Sequence, residues 1–374
     1  MEISTSIQKY AWGKQGSGSL VAQLSKNVLN FEVSESEKYA ELWIGTHPNG
    51  PSKLLDEDQS LDTFIKGNPA VLGQAVVDRF GPNLPFLLKI LSVETALSIQ
   101  AHPDLELAKK LHADRPDLYK DANHKPEMAI AITPFEIMCG FRNFQEIVKN
   151  LKNVPEFRRL IGDEAAAQLE ANMDKASLKT AFGNLMNSDK DLLSRQLESL
   201  LSRLDESVEN HDLIARLAAQ FPGDVGIFGV FFLQHILLQP GEAVFLPANE
   251  PHACIFGDCA ECMATSDNVV RAGLTPKFID ADTLVEMLTY DTGRDWIVKG
   301  KELNNGGTLY DTPIPEFSVV KYNVSEKFTL KPRETSCSVL LCTSGNGTCA
   351  SSTNAKPIEL TQGSCVFLPV RDEM

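Results

Sequence analysis

The sequence predicts a mainly β protein: two small β-barrels or jelly rolls, the second shortened, with an all-helical segment inserted into the first. Three observations predict it. The phrase Gly241-Glu-Ala-Val-Phe-Leu-Pro-Ala returns as Gly363-Ser-Cys-Val-Phe-Leu-Pro-Val, a repeated turn leading into a strand. Short apolar runs bounded by Gly, Pro and Asn flank residues 143–222 on both sides. Inside 143–222 the apolar residues fall at helical spacing (Phe144, Ile147, Val148, Leu151, then the Leu-rich run 192–204), with almost no strand signal. The first barrel is therefore expected from residues 1–142 and 223–315, the helical insertion from 143–222, and the C-terminal barrel from 316–374.

Taken in order, residues 1 to about 55 are turn-rich, with Tyr10, Trp12, Tyr39 and Trp43 as anchors. The run 39–47 reads as a strand ending at a Pro-Asn-Gly-Pro turn, which puts His47 at the surface. Loose helical periodicity follows over 60–80. Residues 85–92 form a strand apolar on both faces except for Lys89, a charge that is costly there unless something anionic meets it. On a strand over 97–102, Ser98, Gln100 and His102 share one face. Pro103 and Asp104 then open a helix reaching about His112, itself expected to be solvated. The stretch Tyr119-Lys-Asp-Ala-Asn-His-Lys-Pro-Glu127 feeds an apolar strand over 128–132, so Glu127 can be carried inside, where a carboxylate needs a cation or metal.

Beyond the insertion, residues 225–238 read as strand, with His235 a strand histidine, and Val244–Leu246 as the centre of another. Residues 252–277 then concentrate His252, Glu261, Ser266, Asp267, Asn268, Arg271 and Lys277. On this stretch alone, a solvated loop and one wall of a site are equally open readings. A helix over 281–290 precedes a second run of strands at 317–324, 328–330, 337–342, 347–350, 358–360 and 366–368.

A formal charge of -15 excludes nucleic-acid and anionic-membrane partners as the main business of the surface. No apolar run is long enough to span a bilayer and the N-terminus lacks a signal-peptide pattern, so a cytoplasmic setting with reduced cysteines is expected. Cys259 and Cys262 have Cys-x-x-Cys spacing without a second pair, and are expected as small buried residues.

Gln100, His102, Glu127 and His252 supply two imidazoles, a carboxylate and a neutral oxygen from strand ends, a set suited to a divalent transition metal with an open position. A structural metal, or two unrelated strand histidines, would account for the same spacing.

The stretch 119–127 resembles the first long motif of the type I mannose-6-phosphate isomerases, and 252–277 resembles their second. Ser98-Ile-Gln-Ala-His-Pro-Asp104, Trp12-Gly13 and Glu41-Leu-Trp-Ile-Gly45 fit the same family, and the likeness runs to about residue 370. It implies a cupin-type enzyme with one Zn2+ per chain, held by Gln100, His102, Glu127 and His252. The implied activity is interconversion of mannose 6-phosphate and fructose 6-phosphate for GDP-mannose synthesis. By position, Arg271 matches the catalytic arginine, and Lys89, Ser98, Lys125, Glu261, Asp267 and Lys277 match substrate-pocket residues. The chain departs from the family pattern at Cys254, where tyrosine is usual, and at Ala260, where a larger aliphatic is usual.

The chemistry agrees with this resemblance. Isomerisation through an enediol needs a base, a stabiliser of the enediolate oxygens and a phosphate anchor. Lys125, Asp267 and Glu261 are base candidates, unranked by sequence. Arg271, always charged, suits anionic oxygens better than proton transfer. Lys89, Arg271, Lys277 and Ser98 are the expected phosphate contacts. The expected partner is a small sugar phosphate, and the chain is expected to be a monomer. Two other readings remain: a sugar-phosphate-binding cupin without catalysis, and a cupin metal oxygenase, which leaves the four cations unexplained.

Overall fold

One strand, His252–Ala264, organises the molecule by serving two sheets. The computed structural model describes residues 1–28, 31–304, 306–326, 335–350 and 357–370. The second half of the long strand pairs with Phe86–Val93 on one side and Glu127–Ala131 on the other. That sheet continues outward to Glu41–Ile44 and Ser6–Gln8, and at its other edge to Ala243–Leu246 and Ile297–Val298. The first half pairs with Phe135–Phe141 and, at His252, with Gln100 of Ile99–Ala101. Leu233–Leu238 and Val270–Gly273 extend this second sheet. The strand can change partners because its register shifts between Cys254 and Phe256, and Gly257 follows at φ 112. A side chain at Gly257 would collide with Pro134 and Phe135, so the bend requires glycine.

The two sheets face each other. Leu91, Val93, Ala129 and Cys259 from one, and Phe135, Ile137, Cys139 and Cys254 from the other, share a buried core with Trp296. Paired residues point to the same side of a sheet, so Lys89 and Glu261 continue this interior face beyond the apolar plug. In the opposite sheet the row Arg271, Gln100, His252, Cys139 does the same. The interior is thus apolar at one end and densely charged at the other.

Six α-helices, from Phe144–Asn153 to His211–Gln220, form the expected insertion. It leaves and re-enters between Phe135–Phe141 and Leu233–Leu238, which pair as antiparallel neighbours. Asn143 and Glu146 close a capping box at its entrance. Its apolar faces pack on the outer side of the second sheet, against Ile99, Ala101, Met138, Ala253, Ile255 and Val270.

The repeated phrase is a repeated structure. Gly241 (φ 91) and Gly363 (φ 95) each close a turn, through Glu242 N–H to Gln239 O at 2.8 Å and Ser364 N–H to Thr361 O at 2.9 Å. Each glycine N–H then meets the backbone of a neighbouring segment, at Ala131 O and Cys342 O. The strand that follows pairs antiparallel with Glu127–Ala131 in the first copy and with Ser338–Leu341 in the second. By register, Leu246 opposes Glu127 and Leu368 opposes Ser338, so the second copy has a hydroxyl where the first has its inward carboxylate.

Several expectations change. Residues Val225–Phe231 form a buried 3-10 stretch, capped by the Asp224 side chain, and the strand begins only at Leu233. A continuous apolar run looks alike in both states. The 252–277 stretch is half strand: its polar residues line an interior. The strand Phe135–Phe141, unread from sequence, carries Glu136 among fully buried neighbours. The 281–290 helix ends at Met287, with Tyr290 at φ 56. His112 is partly buried, its Nδ1 at 2.8 Å from Tyr119 O. Expected strand 328–330 lies outside the described residues. Among the described residues the C-terminal part consists of three small sheets: Lys301–Glu302 with Gly307–Tyr310 and Val319–Tyr322, Ser338–Leu341 with Cys365–Leu368, and Asn346–Cys349 with Ile358–Thr361. All eight cysteines are unpaired, Cys259 and Cys262 among the buried ones.

Candidate active site

Three strand ends meet at the charged end of the interior. His102 follows Ile99–Ala101, Glu127 opens its strand, and His252 opens the long one. All three are buried, and their donor atoms lie within 4.8 Å of one another. Glu127 Oε2 stands 3.3 Å from His102 Nε2 and 3.5 Å from His252 Nε2. The outer nitrogens are engaged: His102 Nδ1 lies 2.7 Å from the Asn268 carbonyl and His252 Nδ1 3.1 Å from the Glu250 carbonyl. Carbonyls only accept, so each ring donates from Nδ1 and turns its Nε2 toward Glu127. His102 Nε2 has no hydrogen-bond partner. Burial, working against the Glu127 charge, lowers the His102 pKa to about 4, which keeps the ring neutral. Two imidazoles fixed through their far nitrogens and aimed at one carboxylate make a donor set that could hold a divalent metal. Gln100 stands beside it, its Nε2 3.4 Å from His252 Nε2 and its Oε1 accepting from Ser98 Oγ at 3.0 Å.

Lys125 Nζ lies 2.9 Å from Glu127 Oε1. Burial pushes the Glu127 pKa up, but Lys125 and His102 outweigh it and hold the carboxyl well below its usual range. Lys89 is also buried, between Glu41 at 3.3 Å and Glu261 at 3.6 Å, with the Trp43 ring centroid 4.8 Å away. Burial favours a neutral amine there, yet Glu41 and Glu261 prevail and hold Lys89 charged. Glu261 answers differently. Burial and the Glu127 charge outweigh Lys89 and Lys125, and raise its pKa to about 7.

Asp267 sits at the rim, 36% exposed, with Oδ1 3.2 Å from His47 Nε2 and Oδ2 accepting from Asn49 Nδ2 at 3.4 Å. The hydrogen bond from His47 lowers its pKa. His47 is buried, against expectation, because this bond and the Trp43 ring at 4.9 Å enclose it. Arg271 and Lys277 differ from the other cations. Arg271 is half-buried and Lys277 exposed, and among the described residues neither has a carboxylate in ion-pair contact. Burial lowers both pKa values, and the Arg271 charge lowers that of Lys277 further. Two unneutralised cations side by side are a place for an anion.

Glu41 was legible and missed: it is a charge opening an apolar strand, the same signal that singled out Lys89. Asp121 is the other omission. Its carboxylate takes hydrogen bonds from Ser266 Oγ at 2.8 Å, Asp267 N–H at 2.8 Å and Asn268 Nδ2 at 3.2 Å. It thereby joins the two polar stretches and holds the Asn268 carbonyl that orients His102.

Comparisons with known proteins give the family. Sequence profiles of phosphomannose isomerase type I match the chain in three parts: the catalytic domain over residues 1–144, the helical insertion domain over 160–233 and the C-terminal part over 308–354. The chain is 45% identical to mannose-6-phosphate isomerase of Homo sapiens, with 100% of this chain and 94% of the relative covered. It is 42% identical to mannose-6-phosphate isomerase 1 of Arabidopsis thaliana, covering 100% of this chain and 90% of that one. A crystal structure of the Salmonella typhimurium mannose 6-phosphate isomerase, bound to the substrate fructose 6-phosphate and zinc, superposes with a TM-score of 0.86 at 30% identity, covering 99% of this chain and 94% of that one. The chain belongs to the type I phosphomannose isomerases.

Proposed function

We propose that the chain is a zinc-dependent isomerase interconverting mannose 6-phosphate and fructose 6-phosphate, with one Zn2+ held by Gln100, His102, Glu127 and His252. The observation that carries the reading is the buried trio with its inward-turned imidazole nitrogens, His102 Nε2 without a partner, beside two unneutralised cations. The zinc- and fructose 6-phosphate-bound relative supports it. Zinc in such a site supplies a Lewis acid for the sugar oxygens at C1 and C2.

The chain's own residues do the rest. Arg271 and Lys277 receive the phosphate or the anionic oxygens, since their charge is not already spent on carboxylates. Lys89 takes a lesser part in phosphate binding than its place in a strand implied, because Glu41 and Glu261 already neutralise it. Ser98 acts through Gln100. Lys125, Asp267 and Glu261 are the groups available for proton transfer. Glu261 is best matched, because burial and the Glu127 charge raise its pKa to about 7, where a carboxyl takes and returns a proton at neutral pH. Asp267, pinned by two donors, holds the rim.

The proposed architecture is two cupin-like jelly rolls, for which the repeated turn-and-strand unit is the support. The proposed domains are residues 1–142 and 223–315 for the catalytic part, 143–222 for the insertion and 316–374 for the C-terminal part. The sheet joining Lys301–Glu302, Gly307–Tyr310 and Val319–Tyr322 favours a C-terminal boundary ahead of Lys301. We place the enzyme as a cytoplasmic monomer feeding GDP-mannose synthesis. No helix among the described residues is long and apolar enough to cross a membrane, and the unpaired cysteines suit a reducing compartment. The test is turnover of mannose 6-phosphate before chelation, after it, and after zinc return. Activity should vanish and come back. Substrate binding without turnover in the zinc-loaded protein would instead identify a non-catalytic sugar-phosphate binder.

A further inference from the structure

Residues 120–126 carry Lys125 to Glu127 without helix or strand. Such a segment presents a lysine at a fixed place only if side chains tie it down. Asp121 ties its start to Ser266, Asp267 and Asn268, and Asn123 Nδ2 donates to Thr265 O at 3.0 Å. These ties stay within the catalytic half. The third does not. His124 Nε2 lies 2.6 Å from Glu316 Oε1, on the turn between Gly307–Tyr310 and Val319–Tyr322.

Glu316 is placed to hold rather than to solvate. Its side chain is 8% exposed, and Oε2 is buried without a partner. A carboxyl so enclosed depends on its hydrogen-bond neighbour His124, since losing that neighbour strands a buried polar group. Its turn is tied across: Thr312 Oγ1 donates to the Phe317 carbonyl at 2.5 Å. Phe317 and Tyr310 pack with Met128, Ile130 and Phe245, directly behind the strand that Glu127 opens. Tyr310 OH donates to Gly241 O at 2.6 Å.

We propose that Glu316, carried by the C-terminal sheet, is a positioning residue for the isomerase site, fixing His124 so that the Lys125 ammonium stays seated on Glu127. The inference rests on the isomerase reading and on Lys125 working in it. It makes the C-terminal sheet part of the catalytic machinery.

The experiment compares wild type with Glu316→Gln, Glu316→Asp, His124→Gln and the double variant Glu316→Gln/His124→Gln. Each is assayed for zinc content, thermal midpoint and steady-state kinetics with mannose 6-phosphate. Glu316→Gln should lower kcat about 10- to 100-fold while KM and zinc content hold within about twofold. Glu316→Asp, keeping the charge on a shorter arm, should recover part of that loss. The double variant should turn over no more slowly than His124→Gln alone, because both remove one interaction. Should Glu316→Gln fail to fold, Glu316→Asp and His124→Gln carry the same comparison from the more conservative and the more exposed side. An unchanged kcat, a loss explained wholly by zinc or thermal midpoint, or losses that multiply would each overturn the proposal. Wild-type turnover, measured first, tests the isomerase reading separately.

Discussion

Arg271 and Lys89 both sit on strands facing the interior, yet their surroundings give them opposite tests. Arg271 pairs by register with Gln100 and has no carboxylate partner among the described residues. A fixed guanidinium there should stabilise the developing enediolate more than the bound sugar, and so act chiefly on turnover. Arg271→Lys should keep zinc and fold while kcat falls about 100- to 1,000-fold. A rise in KM alone would make it a phosphate clamp. Lys89 is different: removing it leaves Glu41 and Glu261 buried and facing each other. Lys89→Met should cost about 3 kcal/mol, read as a lower midpoint in urea. Replacing Glu41 with Gln in the same chain should recover part of that. Unchanged stability would return Lys89 to the phosphate.

At the scale of elements, the insertion holds a carboxylate whose titration is readable. Glu156, on Pro155–Ile161, is clasped by Arg203 at the end of Lys190–Ser202, with Nε to Oε1 at 2.9 Å and Nη2 to Oε2 at 2.6 Å. The clasp lowers its pKa from the usual 4.5 to about 2. A depressed carboxyl stabilises the fold above its unfolded value, and the contribution is lost as pH falls through the folded one. The stability difference between wild type and Glu156→Gln should therefore be constant above about pH 4.5 and shrink toward pH 2. A difference independent of pH would refute the clasp. Elements with one period and one exposed face were legible from sequence, such as the helices Phe144–Asn153 and Lys190–Ser202. Val225–Phe231 was not, because a wholly buried run carries no period to read. Nor was the long strand, whose interior face is polar because it lines a site. The resemblance supplied the site residues. Of the residues that hold them, Glu41 showed as a charge opening an apolar strand, whereas Asp121 and His47 meet Asp267 only in the folded chain.

For the whole molecule, the site and the fold are separable at the metal end. His252 opens the long strand and faces the interior, while the insertion packs on the outer side of that sheet through Ala253 and Ile255. His252→Ala should lose zinc and activity together yet keep the helical signal in circular dichroism. Collapse of that signal would mean that the metal organises the whole chain, as it does in small zinc modules.

The long strand also sets a timetable. Phe86–Val93 and Glu127–Ala131 lie on either side of it and cannot complete their ladders until it arrives, after the whole helical insertion. On a ribosome adding about 5–20 residues per second, those strands wait several seconds with open edges, a hazard of long-range pairing. The helices, made of local contacts, have that interval to fold first. The insertion therefore gives the nascent chain a finished body on which the last central strand can close both sheets.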